Sequence, residues 1–208
     1  MGLSYFKERG YRDETIRRFG LGFTQESKDD FTQYALSKGH KLEMLKNLGL
    51  TSDKGYDFFR NRVMFTIYNL SGKPVAFAGR IMQKDAKAFK YQFAGNGDLH
   101  KSKPLRTLSG QNCHQKNSDE CIIEGYTDVM TLSQADRKCG CSSGTSLTRI
   151  SLDFVKRFTP NLKNPFDGDA AGIKAALRGM DLALEQDLNV KIVLLPEKKK
   201  IRTLISRR

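Results

Sequence analysis

The sequence predicts an α/β protein in two parts: an α+β first part and a second part built as a parallel α/β module. Two observations lead to this fold class. Short helical segments and aromatic-rich strand segments fill the first half of the chain, and from Cys121 onward strand and helix patterns alternate. Alternation of strand and helix favours a parallel sheet with right-handed crossovers. A chain of 208 residues is long enough to bury a real hydrophobic core, and we expect it to divide into two small domains.

Three short helices are predicted in the first fifty residues, at 12–19, 29–38 and 41–48. Each pattern stops at a glycine, which is the residue best suited to the left-handed conformation after a helix. Asp29 or Asp30 is the expected N-cap of the second helix.

Strands are predicted at 62–68, 74–82 and 88–93, where aromatic and β-branched residues are frequent. The first two form a hairpin around a turn at 69–73. Basic residues punctuate this sheet and the segment that follows: Arg60, Arg62, Arg80, Lys84, Lys87, Lys90, Lys101 and Lys103. Cations interleaved with aromatic rings suit single-stranded nucleic acid, although a solvated basic face is the competing interpretation.

The second part begins with a strand at 121–124 and a helix at 127–135, followed by a weak strand at 138–143 and a helix at 148–158. Residues 161–166 contain a proline and several polar residues and predict a poor central strand. The clearest helix is 170–186, and a strand at 190–195 ends at Pro196. Four apolar side chains lie along one face of that helix: Ile173, Leu177, Met180 and Leu184.

Domain boundaries follow from these patterns. We expect a first domain at 1–105, a linker at 106–120, the parallel module at 121–196 and a basic tail at 197–208.

The net charge of +13 is unevenly distributed along the chain. Residues 60–103 carry nine basic and two acidic side chains, whereas residues 121–196 carry nine of each. A basic segment beside a neutral module suits a polyanion that is held in one part and processed in another.

Cysteine usage and hydropathy indicate a cytoplasmic protein with no membrane association. The four cysteines lack a regular disulfide framework, and a zinc site that uses Cys139, Cys141 and His114 is disfavoured by the spacing. The sequence has no apolar run of the ~20 residues that a membrane span requires, and no signal-peptide pattern.

Four acidic residues carry the predicted chemistry. Glu124 follows a strand, Asp128 enters the next helix, and Asp167 and Asp169 precede the helix at 170–186. Ligands in such folds lie at the carboxyl ends of strands. Oxygen ligands alone suit Mg²⁺, which stabilises displacement at phosphorus. The spacing alone leaves synthesis, cleavage and strand passage open.

Specific motifs resemble the catalytic core of bacterial DnaG-type DNA primases, with an N-terminal catalytic subdomain followed by a TOPRIM module. The TOPRIM resemblance lies in three stretches, Ile123–Val129, Ser142–Thr148 and Asp167–Gly179. The N-terminal resemblance lies in Tyr5–Gly10, Arg62–Phe65, Phe77–Arg80, Lys90–Tyr91 and His100–Lys103. Together these matches extend over most of residues 1–196.

The resemblance implies synthesis of short RNA primers on a single-stranded DNA template, with ribonucleoside triphosphates as substrates and Mg²⁺ or Mn²⁺ as cofactor. It implies Glu124 as general base or metal ligand, Asp167 and Asp169 as metal ligands, and Asp128 as their support. It also implies that the template and nucleotide groove is lined by Arg62, Arg80, Lys90 and Lys101. The resemblance also implies a partnership with the replicative helicase, through a further domain that we do not expect within these 208 residues.

One departure from the family bears on activity. The family has an acidic Asp-Pro-Asp motif after Leu-Leu-Pro, but here Pro196 is followed by Glu197 and three lysines. A truncated or frame-disrupted gene is therefore one hypothesis. A catalytically impaired fragment that only binds single-stranded DNA is the alternative function. A nuclease or topoisomerase component is a third interpretation, and a strand-passage enzyme would need a nucleophilic tyrosine domain, for which this short chain has little room.

Overall fold

The computed structural model describes residues 2–68, 72–82, 89–95, 120–123, 126–135, 139–141, 149–157, 159–166 and 170–194. Its elements form two compact units, one from the first helix to the fourth strand and the other from the fifth strand onward. Both units contain helices and strands, which confirms the predicted α/β class.

The first unit begins with short helices and one short strand. These are α1 (Gly2–Glu8), α2 (Asp13–Arg18), β1 (Gly22–Thr24), α3 (Asp30–Ser37) and α4 (Leu42–Asn47). The predicted stops are confirmed, because Gly20, Gly39 and Gly49 have positive φ angles of 56°, 85° and 68°. Two elements, α1 and β1, were not located by the pattern, since seven and three residues are too few to show a period.

The first sheet has the order β1-β2-β3-β4, with β2 at Arg62–Tyr68, β3 at Pro74–Ile81 and β4 at Tyr91–Gly95. The β1–β2 and β3–β4 pairs are antiparallel. The predicted hairpin strands are confirmed, and the third strand begins three residues later than expected. Fully buried aromatic residues hold α1 on this sheet, with the ring centroids of Phe6 and Phe65 6.1 Å apart.

A distant carboxylate, rather than a local one, caps α3. Asp57 is 8% exposed, and its Oδ2 accepts a hydrogen bond from the Phe31 N–H at 2.9 Å. Its Oδ1 accepts from the N–H and the hydroxyl of Thr32, at 2.9 and 2.7 Å. Asp29 makes no side-chain cap hydrogen bond, and the Asp30 carboxylate accepts from the Ser27 hydroxyl. Asp29 does occupy the predicted N-cap position, but a residue beyond α4 supplies the side-chain hydrogen bonds to the orphan donors.

The second unit is a parallel sheet in the order β6-β5-β7-β8. Its strands are β5 (Glu120–Ile123), β6 (Cys139–Cys141), β7 (Asn161–Phe166) and β8 (Asn189–Leu194), and its helices are α5 (Tyr126–Gln134), α6 (Arg149–Lys156) and α7 (Ala170–Leu184). Helices alternate with strands as predicted.

The segment that was predicted to make a poor strand is β7, an interior strand of this sheet. It pairs with β8 over all six residues and with β5 at Leu162 and Lys163. Pro165 lies beyond those two pairs with β5, so its missing N–H is tolerated. The prediction failed because pairing with two neighbours outweighs the local preference.

The packing of α7 uses its small residues. Ala176 and Ala183 are buried at 2% and 0% exposure, and Gly179 is buried as well. The apolar stripe noted in the sequence faces outward instead, with Ile173, Leu177 and Leu184 exposed at 41%, 52% and 54%. Leu152, Val155, Leu162 and Leu188 join Ala183 in the core.

Replacing Asp57 with alanine should lower the free energy of unfolding by about 2–3 kcal/mol, because buried donors at the start of α3 lose their acceptor. The measurement is urea unfolding, read at the midpoint with an unchanged m-value. Asp53→Ala removes an exposed carboxylate nearby and is the matched control. Equal midpoints for the two variants would show that the cap contributes nothing.

Candidate functional site

One edge of the parallel sheet collects the strand ends that precede the predicted acidic residues. Because β5 and β7 are parallel neighbours, their carboxyl ends lie at the same edge. β5 ends at Ile123 and β7 ends at Phe166, so the next residues in sequence are Glu124 and Asp167. This is the edge at which open α/β sheets bind ligands.

Asp128 is the one predicted acid within the described residues. It lies in the first turn of α5 and is half-buried. There a carboxylate also stabilises the helix dipole, so its position alone assigns no chemistry. Glu124, Asp167 and Asp169 lie outside the described residues, and α7 begins one residue after Asp169. Among the residues that are described, histidine, cysteine and acidic side chains form no metal-binding group of three.

A second candidate surface lies in the first unit, where Arg80 on β3 lies close to two tyrosine rings. Its guanidinium carbon is 6.0 Å from the ring centroid of Tyr5 and 5.8 Å from that of Tyr91. Arg9 lies over the Tyr5 ring at 4.5 Å, and the Tyr91 ring stacks on Phe93 at 6.4 Å with an angle of 22°. These residues (Tyr5, Arg9, Arg80, Tyr91 and Phe93) are called the Arg80 stack.

The register of β3 and β4 explains why the stack forms. Arg80 pairs with Tyr91, and Ala78 pairs with Phe93, so the side chains of these pairs share one face of the sheet. Alternation sends Ala94 to the other face, where it is buried. Phe93 is 41% exposed, whereas Tyr91 is half-buried. The stack therefore extends from a half-buried ring to an exposed one.

Burial raises the pKa of the Tyr91 phenol, and the neighbouring Arg80 acts in the opposite direction. The phenol consequently stays neutral beside the guanidinium. Lys90, which precedes this tyrosine, is exposed.

Arg62, a predicted nucleic-acid contact, is 4% exposed. Its Nη1 donates to the carbonyl oxygens of Gly79 and Phe89, at 3.2 and 2.9 Å. Burial lowers the pKa of its guanidinium. A Cβ built on Gly79 would lie 3.0 Å from the Arg62 Cδ, so Arg62 lies on the face of the sheet toward which position 79 points. Arg80, the next residue along β3, points to the opposite face. The structure thus does not bring the two arginines together.

Sequence reasoning did not assign roles to Tyr5, Arg9, Tyr91 and Phe93. The first three lie in stretches already noted for their family resemblance, Tyr5–Gly10 and Lys90–Tyr91, but only the fold brings those stretches together. The last predicted basic contact, Lys101, lies outside the described residues.

Comparison with protein families and known proteins yields consistent matches. Residues 1–105 match the family described as DNA primase catalytic core, N-terminal domain, and residues 121–205 match the Toprim-like family. A DNA primase from Clostridium acetobutylicum is 33% identical over 202 residues, which cover 94% of this chain and 33% of that protein. This chain therefore spans about a third of the length of that curated relative.

Solved structures agree. The primase catalytic core of E. coli superimposes with a TM-score of 0.81 at 30% identity, covering 99% of this chain and 68% of that one. A DnaG primase catalytic domain bound to single-stranded DNA gives a TM-score of 0.79 at 30% identity, with 99% and 69% coverage. Among the described helices, none is long and apolar enough to cross a membrane.

The Tyr91 phenol should release its proton at a higher pH than an ordinary tyrosine, because burial disfavours the phenolate. The folded-state pKa lies above the unfolded value of about 10. Its contribution to stability is therefore complete below that pH and is lost as the pH rises through the raised pKa. Titration of the tyrosinate absorbance measures this.

In that titration, Tyr91→Phe should remove the late-titrating phenol, and Arg80→Gln should move it to still higher pH. Tyr34→Phe changes a tyrosine that is 63% exposed and should leave the late signal in place. A late signal that survives Tyr91→Phe would contradict the assignment.

Arg62→Met should lower the free energy of unfolding by about 1.5–3 kcal/mol, because the buried carbonyl of Gly79 and the part-buried carbonyl of Phe89 lose a charged donor while the side-chain volume is kept. Denaturant unfolding measures the loss, and Arg60→Met, at an exposed arginine, is the control. A loss no greater than that of the control would mean that the Arg62 hydrogen bonds do not support the sheet.

Proposed function

The chain belongs to the DNA primase catalytic core family, and we propose that it supplies template-binding and metal-binding parts for synthesis of short RNA primers on single-stranded DNA. The observation that carries the proposal is the parallel pairing of β5 with β7, which places the strand ends before Glu124 and Asp167 at one edge. Ribonucleoside triphosphates are the proposed substrates, and the cytoplasm is the proposed location.

The edge of the second sheet at which β5 and β7 end, followed in sequence by Glu124 and Asp167, is called the acidic edge and is the proposed reaction centre. Glu124, Asp167 and Asp169 would hold Mg²⁺ or Mn²⁺, and Asp128, half-buried in the first turn of α5, would support them. Carboxylate oxygens are the donors that these ions prefer. When bound, such an ion neutralises charge on the phosphoryl oxygens during nucleotidyl transfer.

Glu124 has a second proposed role, as the alternative to metal binding, in which it accepts the proton from the attacking hydroxyl. In nucleotidyl transfer, the hydroxyl oxygen of one nucleotide bonds to the α-phosphorus of the next, and pyrophosphate leaves. Removing the hydroxyl proton assists this attack, and a carboxylate at a strand end is suited to that task.

The first unit is the proposed template-binding part. Arg80 and Lys90 are accessible cations within or beside the Arg80 stack, and Lys101 is proposed as a further contact. Arg62 is proposed to act through position rather than by touching the template. Its hydrogen bond to the Phe89 carbonyl holds the backbone immediately before Lys90. A partnership with the replicative helicase is proposed for the longer protein in which such a core works.

A second candidate function is template binding without synthesis. It is favoured by the sequence after β8, where Pro196 is followed by Glu197 and then Lys198, Lys199 and Lys200, in place of further acidic ligands. In that case the surface around Arg80 and Lys90 would still bind single strands, whereas the acidic edge would not support synthesis. Salt-sensitive binding of single strands without any primer product would support this alternative.

Asp167→Ala should abolish primer synthesis, because a proposed metal ligand at the reaction centre is lost. The measurement is labelled dinucleotide formation on single-stranded DNA, with Mg²⁺ and with Mn²⁺. Asp153→Ala removes an exposed carboxylate from α6 and should leave synthesis unchanged.

Two outcomes would contradict the assignment. Undiminished synthesis by Asp167→Ala would remove this residue from the reaction centre. An unaltered chain that binds single strands but forms no product with either ion would favour the binding-only function.

A further inference from the structure

We infer that the exposed end of the Arg80 stack is a nucleobase-stacking subsite, in which Phe93 receives the flat face of an unpaired base. The inference rests on the proposed template-binding function and deepens it by naming the group that is recognised. It assigns a ligand contact to Phe93, which had no predicted role.

The stack alternates cations and rings. From Arg9 the order is cation, ring, cation, ring, with successive separations of 4.5, 6.0 and 5.8 Å. Phe93 then follows Tyr91 at 6.4 Å with nearly parallel ring planes. The Arg80 guanidinium lies close to the Tyr91 ring and helps to fix it beside Phe93. Less conformational entropy is therefore lost when a ligand binds.

Backbone pairing holds the exposed ring in place. Phe93 pairs with Ala78 in the β3–β4 ladder, and the neighbouring Ala94 is buried on the opposite face. Behind the same strands, Arg62 binds the carbonyl oxygens of Gly79 and Phe89. The Phe93 ring, 41% exposed on this supported strand and stacked on Tyr91, is therefore held at a defined place on the sheet.

The charge around the platform selects the ligand class. Arg80 and Lys90 lie at or next to the stack, and residues 60–103 carry nine basic and two acidic side chains. A purely apolar partner would leave these cations unpaired, whereas a single strand presents a base to the ring and phosphates to the cations. Phe89, which lies two residues before β4 and is 80% exposed, offers a second ring to the same nucleic-acid strand.

The test compares binding of a fluorescent oligothymidylate with binding of an abasic strand of equal length, across a range of salt concentrations. Phe93→Leu keeps the apolar character and removes the ring, and Phe93→Tyr restores a ring. The control Phe58→Leu changes a phenylalanine of the same unit that is 38% exposed and is not part of the Arg80 stack.

We expect Phe93→Leu to weaken oligothymidylate binding roughly fivefold to hundredfold, with an unchanged salt slope and no change on the abasic strand. Phe93→Tyr should bind like the unaltered chain, and so should Phe58→Leu. Arg80→Gln should instead reduce the salt slope on both strands, because it removes a phosphate contact.

Three results would overturn the subsite. The first is equal oligothymidylate affinity for Phe93→Leu and the unaltered chain. The second is an equal loss of affinity for oligothymidylate and for the abasic strand. The third is displacement of the oligothymidylate by an acidic peptide whose binding depends on Phe93 to the same extent. The proposed function fails separately, if the unaltered chain binds no single strand at all. Matching urea midpoints for all variants show that folding does not account for the differences.

Discussion

The contact of Arg62 with two backbone carbonyls supports the strand β3 and the approach to β4, which carry the Arg80 stack. The guanidinium reaches the oxygens of Gly79 and Phe89 because position 79 lacks a side chain. A Cβ there would lie 2.5 Å from the Phe59 ring and 3.0 Å from the Arg62 Cδ. Arg80, one residue along β3, therefore emerges on the opposite face, where it meets the tyrosine rings. One buried cation thus supports the strand that presents the half-buried Arg80 on its other face.

The second unit depends on a comparable constraint, the parallel pairing of β7 between β5 and β8. This pairing brings two strand ends that are 43 residues apart in sequence to one edge. The helix that follows β7 packs through Ala176, Gly179 and Ala183, whose small size allows close approach to the sheet. Close packing there turns the larger apolar residues of α7 outward.

Charge is distributed unevenly along the chain, with an excess of basic residues at 60–103 and a balance of basic and acidic residues at 121–196. In the first unit, Arg80 lies on a sheet face beside the rings of Tyr5 and Tyr91, and this is the surface proposed to meet phosphates and bases. Acids in the second unit belong to a module of zero net charge, which suits a site for cations. Family membership and the single-stranded DNA in a related solved structure agree with this division.

Much of the fold followed from the sequence alone, because helix stops, strand composition and strand–helix alternation are local signals. The glycine stops after α2, α3 and α4, the neighbouring strands β2 and β3 and the parallel module are of this kind. The Asp57 cap, the β7 strand, the burial of Arg62 and the Arg80 stack are not, since each joins residues far apart in sequence. The sequence determined which residue types could bind phosphate or metal. Only tertiary structure decided which of them share a face, because one step along a strand reverses the direction of a side chain.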